Sequence, residues 1–168
     1  MLHTDRLSAY KISFEWSNPG GLSELLIKDN KVLCISGKPK YAYAVGQQKL
    51  LPGGKYYWEI LLENGVNFKV GVVKASSTFD LDLEIKEACT LSSRGFIQTP
   101  NFEKGEDTHQ KYSAGDKLAL FYDGEKGSLT YFLNEKRIGI LYLSISFKTD
   151  PYYPVVCLLT EGEMLSAL

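Results

Sequence analysis

Glu59 and Glu63 lie four residues apart in Lys55-Tyr56-Tyr57-Trp58-Glu59-Ile60-Leu61-Leu62-Glu63. On an extended strand their side chains share a face, about 13 Å apart along the chain. Retaining glycoside hydrolysis needs two carboxylates about 5 Å from each other. A Glu-x-Asp-x-Glu strand can supply such a pair, but the middle position here is Leu61. Two charges on the solvent face of a strand are the expectation. Asp80, Asp82 and Glu84 alternate loosely like a calcium loop, yet the glycine at its sixth position and the glutamate at its twelfth are missing. His109 sits beside Thr108 and close to Asp107. With His3 as the only other histidine, no His-based metal cluster can be built, and no Gly-x-Ser-x-Gly elbow supports a hydrolytic triad.

Cys34, Cys89 and Cys157 fall in or near apolar runs and form no Cys-x-x-Cys pair. They read as small buried hydrophobes rather than nucleophiles or a disulfide framework. Lys28 to Lys40 holds several basic residues, with Tyr41 and Tyr43 nearby. Basic residues interleaved with aromatics can bind single-stranded nucleic acid. The net charge of −1 argues against that and against charge-driven membrane binding. The start of the chain lacks the apolar core of a signal peptide, and no apolar run approaches the length that crosses a bilayer. No Asn-x-Ser/Thr sequon occurs. Together these features point to an intracellular compartment, cytoplasmic or nuclear. No cofactor and no metal is implied.

At 168 residues the chain can bury a full core without staples. Its 44% hydrophobic and 23% charged content is that of an ordinary globular domain. Twelve per cent aromatics and frequent glycine-containing turns favour an all-β fold. Between Lys55 and Glu63, Tyr56, Trp58, Ile60 and Leu62 share one face, a period of two that marks a half-buried strand. Asn64-Gly65 predicts a hairpin turn into Asn67 to Val73, where Gly71 marks a bulge or a close backbone approach. Glu24 to Lys28 and Lys31 to Ile35 flank a turn at Asp29-Asn30. Lys117 to Tyr122, Ser128 to Leu133 and Arg137 to Tyr142 form a meander with turns at 123–127 and 134–136. Pro154 to Leu159 and Glu163 to Ala167 supply the last strands. The stretch from Ser76 to Ser113 reads as a long polar loop, with Leu81, Ile85 and Ala88 on one short helix capped by Asp80. Short strands at regular spacing predict an antiparallel sandwich.

Several of these segments, taken in order, resemble the SPRY (B30.2) domain family. Gly54-Lys55-Tyr56-Tyr57-Trp58-Glu59-Ile60 is similar to its Gly-x-x-Tyr-Trp-Glu-hydrophobic segment. Phe68 to Val73 resembles the hydrophobic-Gly-Val strand that follows it, and Gly115 to Leu120 the Gly-Asp-x-hydrophobic strand entry. Gly127 to Asn134 is similar to Gly-x-Leu-x-Phe-x-x-Asn, with Tyr131 in place of the Phe. Ile138-Gly139-Ile140 and Tyr153-Pro154-Val155-Val156 match two later segments. The resemblance is clear from Val45 onward and weaker back towards Leu25. It implies a bent antiparallel β-sandwich, a concanavalin-like jelly roll. Residues 1–168 would form a single such domain, with 1–24 as a candidate N-terminal extension.

The resemblance also implies function. SPRY domains carry no catalytic residues of their own and bind a short peptide or a protein surface through loops at one side of the sandwich. Many serve as substrate receptors in ubiquitin ligases, others as scaffolds. By loop correspondence, Lys40, Tyr41, Phe79, Asp80, Thr160 and Glu161 are candidate partner-binding residues, and Tyr43 and Phe102 are added by composition. SOCS-box members carry Val-Trp-Gly soon after the Tyr-Pro motif, where this chain has Leu159-Thr160-Glu161. The missing tryptophan argues for a different partner. The expectation is a monomeric adaptor with a protein or peptide ligand. Glycan binding by a lectin-like sandwich is the alternative, and a glycosidase is disfavoured by Leu61.

Overall fold

The computed structural model describes residues 4–37, 41–77, 88–99, 108, 110–142 and 146–168, the side chains of 140–142 and 146 excepted. A 3-10 helix (Thr4–Tyr10) is followed by β1 (Trp16–Ser17), β2 (Leu25–Lys28), β3 (Lys31–Cys34) and β4 (Ala42–Gly46). Next come β5 (Lys55–Asn64), β6 (Phe68–Lys74), β7 (Ala88–Ser92) and β8 (Ile97–Gln98). The chain continues through β9 (Lys117–Asp123), β10 (Ser128–Leu133), β11 (Lys136–Tyr142), α1 (Ser146–Thr149), β12 (Tyr152–Leu158) and β13 (Met164–Ala167). Two antiparallel sheets result. The first has the order β11-β10-β9-β5-β13-β3-β2, the second β1-β4-β12-β6-β7-β8.

Alternation decides which side chains lie between the sheets. Trp58, Ile60 and Leu62 of β5, with Leu118, Leu120, Leu129 and Tyr131, face Phe68, Val70, Val72, Leu91, Val156 and Leu158, and all are at most 1% exposed. The Tyr131 hydroxyl donates to the Val70 carbonyl at 2.9 Å, so even this large polar ring is satisfied between the layers. The meander runs as expected. Asn134 and Glu135 take positive φ at the β10–β11 turn, and the Asp123 carboxylate caps the β9–β10 turn through the N–H groups of Glu125 and Lys126. Asp29, at φ 54°, turns β2 into β3.

Two expectations fail. Asn64-Gly65 does not close a hairpin, because β5 and β6 lie in different sheets. Their apolar faces are stacked on each other as two layers, and Gly65 carries the chain across. The stretch 76–113 is also more than a loop. Ala88 stands in β7, not in a helix, and β7 and β8 extend the second sheet from β6. Cys89 and Leu91 alternate inward at 0% exposure. The expected Asp80 cap, Leu81 and Ile85 lie outside the described residues, as do Asp82, Glu84 and His109.

The face of β5 opposite the core is covered too. Tyr57, Ala119, Phe121 and Phe132 form a second apolar cluster closed by Leu7 of the 3-10 helix. Lys11 pairs with Glu59 at 3.0 Å, Lys117 reaches the other Glu59 oxygen at 3.0 Å, and the Tyr57 hydroxyl donates to it at 3.2 Å. Burial alone would raise the Glu59 pKa. The hydrogen bonds and charges of Lys117 and Lys11 outweigh it and hold the carboxyl below its ordinary value. Because the folded value lies below the unfolded one, this pairing stabilises the fold above the ordinary carboxyl range and is lost as pH falls through the lowered value. Glu59→Gln should therefore lose less stability than wild type between about pH 5 and pH 3 in urea unfolding. Parallel losses would contradict the assignment.

Candidate partner-binding surface

Four connections and one strand entry meet at one end of the sandwich. These are the β5–β6 crossing (64–67), the β7–β8 turn (93–96), the segment 110–116, the β12–β13 turn (159–163) and Tyr41 at the start of β4. Glu163 ties two of them together. It is 2% exposed and aims its carboxylate at four backbone N–H groups. Oε2 accepts from Val66 at 3.1 Å and Asn67 at 2.6 Å, while Oε1 accepts from Leu159 at 2.8 Å and Thr160 at 2.6 Å. Charge-assisted bonds of this kind are the strong ones. Gly65 is required beside it: at φ +112°, a Cβ there would stand 2.4 Å from Glu163 Cγ.

Ser93 makes the third join. Its hydroxyl accepts from the Phe68 N–H at 3.1 Å and donates to the Val66 carbonyl at 2.6 Å, while its own carbonyl accepts from Tyr112 N–H at 3.0 Å. Asn67 then donates to the Thr160 hydroxyl at 3.0 Å. The backbone of this end is thus held by the buried side chains of Glu163 and Ser93.

Outward side chains form two adjoining depressions. One, of about 390 Å³, is bounded by Tyr41, Asn67, Lys69, Arg94, Phe96, Gln98 and Leu159. The other, of about 570 Å³, is bounded by Val66, Asn67, Arg94, Lys111, Tyr112 and Ser113. Lys69 Nζ lies 4.5 Å from the Tyr41 ring centroid and donates to Gln98 Oε1 at 3.1 Å. Burial, with smaller contributions from Cys157 and Glu163 against an opposing Arg94, raises the Tyr41 pKa, so its hydroxyl stays a donor. Phe96 is 59% exposed and Val66 62%. Phe96, Tyr41 and Arg94 border one depression, and aromatic and arginine side chains are the types enriched at binding hot spots.

Of the residues singled out in the sequence, Tyr41 and Thr160 belong to this end of the molecule, and Glu161 is exposed in the same turn as Thr160. Tyr43 is a correction. It is 3% exposed, and a Cβ on Gly20 would stand 2.9 Å from its hydroxyl, so residues around Gly20 pack over it as core. Lys40, Phe79, Asp80 and Phe102 lie outside the described residues. Sequence reasoning missed Asn67, Lys69, Arg94 and Phe96. The usable signal was an apolar residue directly after a turn glycine, in Gly65-Val66 and Gly95-Phe96.

Other groups that could do chemistry are engaged elsewhere. Glu63 accepts from Ser166 at 3.0 Å and faces Lys31 at 3.5 Å, apart from the Glu59 cluster. All three cysteines are buried, and burial pushes the Cys157 thiol up to about 12. Among the described residues, no group of three or more His, Cys, Asp or Glu could hold a metal ion, and no helix is long and apolar enough to cross a membrane.

The molecule is a two-layer antiparallel sandwich with several of its connections gathered at one end. The chain belongs to the SPRY domain family, whose model matches residues 55–167, more than half of it. SPRY domains are generally protein–protein interaction modules. The chain is 26% identical over 125 residues to the SPRY domain-containing SOCS box protein 3 of Xenopus laevis, a match covering 68% of this chain and 34% of that protein. It thus spans about a third of the length of that relative. The SPRY domain of human HERC1 shares the fold with a TM-score of 0.71 at 15% identity, over 90% of this chain and 96% of that one. The TRIM65 PSpry domain does so with a TM-score of 0.77 at 15% identity, over 98% and 94%. At these identities the likeness to the solved structures is one of fold.

Proposed function

We propose that this chain is a non-catalytic adaptor that grips a short peptide or a protein loop on the surface formed by Tyr41, Asn67, Lys69, Arg94 and Phe96. The observation that carries it is the exposure of Phe96 and Val66 on a backbone fixed by Glu163 and Ser93. Other apolar side chains are exposed as well, Leu26 and Leu51 among them, but Phe96 lines a depression that also holds cations and amide groups. Here the turn that bears Phe96 is held by the Ser92 hydroxyl, which accepts from its N–H at 3.2 Å. A partner gains contact area with little ordering cost. The SOCS box in the name of the Xenopus relative supports a place as substrate receptor in an intracellular ubiquitin-ligase assembly. The module would act there as a monomer. Leu159-Thr160-Glu161, which lacks a tryptophan, supports a partner class different from that of SOCS-box members.

Panning a displayed random-peptide library against the chain tests this. Phe96→Ala and Arg94→Ala should each weaken the enriched peptides roughly tenfold or more, with an unchanged thermal midpoint. Wild-type affinity in both variants would move the binding surface elsewhere.

A further inference from the structure

We infer that the partner segment is acidic: it places an Asp or Glu carboxylate between Arg94 and Lys111 while an adjacent apolar residue packs on Phe96. This deepens the proposed surface and rests on it. Three cations converge there although the whole chain carries a net charge of −1. Arg94 is shared by both depressions, Lys69 lines one and Lys111 the other. Neither has an Asp or Glu among its described lining residues. Five other lysines are paired, Lys11 and Lys117 with Glu59, Lys31 with Glu63, Lys55 with Glu125 and Lys74 with Asp150, while Arg94 and Lys111 line one depression together. Arg94 and Lys111 form no ion pair among the described residues, and both are exposed. The carboxylate of Glu163 does not serve them, because both its oxygens are occupied by the backbone N–H groups of two loops.

Arginine favours a carboxylate because its planar fork meets both oxygens at once. Phe96 and Tyr41 line the adjoining depression that Arg94 also borders, so an apolar neighbour of the carboxylate would have an aromatic surface to pack on. Asn67 and Gln98 line the same depression, and the Asn67 side-chain carbonyl and the Gln98 amide N–H groups are the atoms not used in their bonds to Thr160 and Lys69. A nucleic-acid phosphate chain would need a basic track extending well beyond three side chains.

Two pools of short synthetic peptides with free choice of apolar residues separate the outcomes. One contains Asp and Glu, the other Asn and Gln in their place. A single-stranded oligonucleotide forms a third arm. The full chain should retain the acidic pool at least tenfold better than the amide pool, and the preference should shrink as salt rises. Arg94→Glu with Lys111→Glu should abolish it, and a matching Lys/Arg pool should then be retained instead. Equal retention of the two pools, retention of neither, or stronger retention of the oligonucleotide overturns the acidic partner. If the pools bind alike yet Phe96→Ala releases both, the surface stands and only its acidic preference falls. If the acidic pool binds and none of these substitutions matters, the surface itself is wrong.

Discussion

Replacing Glu163 by Gln should destabilise the domain by about 3 kcal/mol or more, because a buried donor left without its acceptor costs about 1–3 kcal/mol. The wild-type carboxylate satisfies four N–H groups, two on each oxygen. A glutamine keeps one oxygen and turns an NH₂ group against the other two donors. Either Val66 and Asn67 or Leu159 and Thr160 then face a donor where they had an acceptor. The charge that strengthened all four bonds is lost as well. Urea unfolding should show a lower midpoint with an unchanged slope. Amide exchange should quicken first at Val66, Asn67, Leu159 and Thr160. Glu161→Gln, on an exposed neighbour in the same turn, should stay within about 0.5 kcal/mol of wild type. A Glu163→Gln loss as small as that of Glu161→Gln would show that the carboxylate does not clasp the loops.

Gly71→Ala is expected to be as damaging by a different route. A Cβ at Gly71 would stand 1.8 Å from the Cys89 carbonyl oxygen, 2.8 Å from its carbon and 2.9 Å from Thr90 Cα. All three atoms are backbone of β7, so no rotamer change relieves the clash. β6 is also held from the other side by β12, through the Gly71 and Val155 register, and cannot retreat. β7 has to move. Overpacking a core typically costs 1–3 kcal/mol, and a clash with backbone belongs at or beyond the top of that range, about 3 kcal/mol. The β7–β8 turn carries Arg94 and Phe96, so peptide binding should fall together with stability. Thermal unfolding and peptide affinity measured on the same variant check both. A wild-type midpoint would mean that β7 does not approach β6 as described.

These two residues show what the sequence disclosed and what it hid. Gly71 inside an apolar strand announced a bulge or a close approach, since a strand interior otherwise favours a side chain, and the structure shows the close approach. Period-two alternation in 55–63 announced the buried face of Trp58, and the meander 117–142 was legible from its turns. The pairing partner of β5 was not legible. Asn64-Gly65 is a local turn signal, and whether a turn joins neighbours in one sheet or crosses between two depends on contacts with Glu163, almost a hundred residues away in the chain. β7 escaped notice because five residues give too few alternations to outweigh the polar stretch around them. Of the proposed surface, only Tyr41 was singled out in the sequence, while Thr160 and Glu161 stand in a turn at the same end of the sandwich. Residues such as Lys69 and Arg94 look like ordinary surface charges until the fold shows that, among the described residues, no carboxylate is paired with Arg94. Tyr43 was misplaced because its aromatic character fits a core as well as a surface.

The most direct test of the account is a map of backbone amide shifts while a library-selected peptide is titrated into the labelled domain. The account predicts that the largest changes cluster on Tyr41, Asn67, Lys69, Arg94, Phe96 and Gln98. Changes centred instead on the far face of the first sheet, around Leu26, Leu33 and Met164, would contradict it.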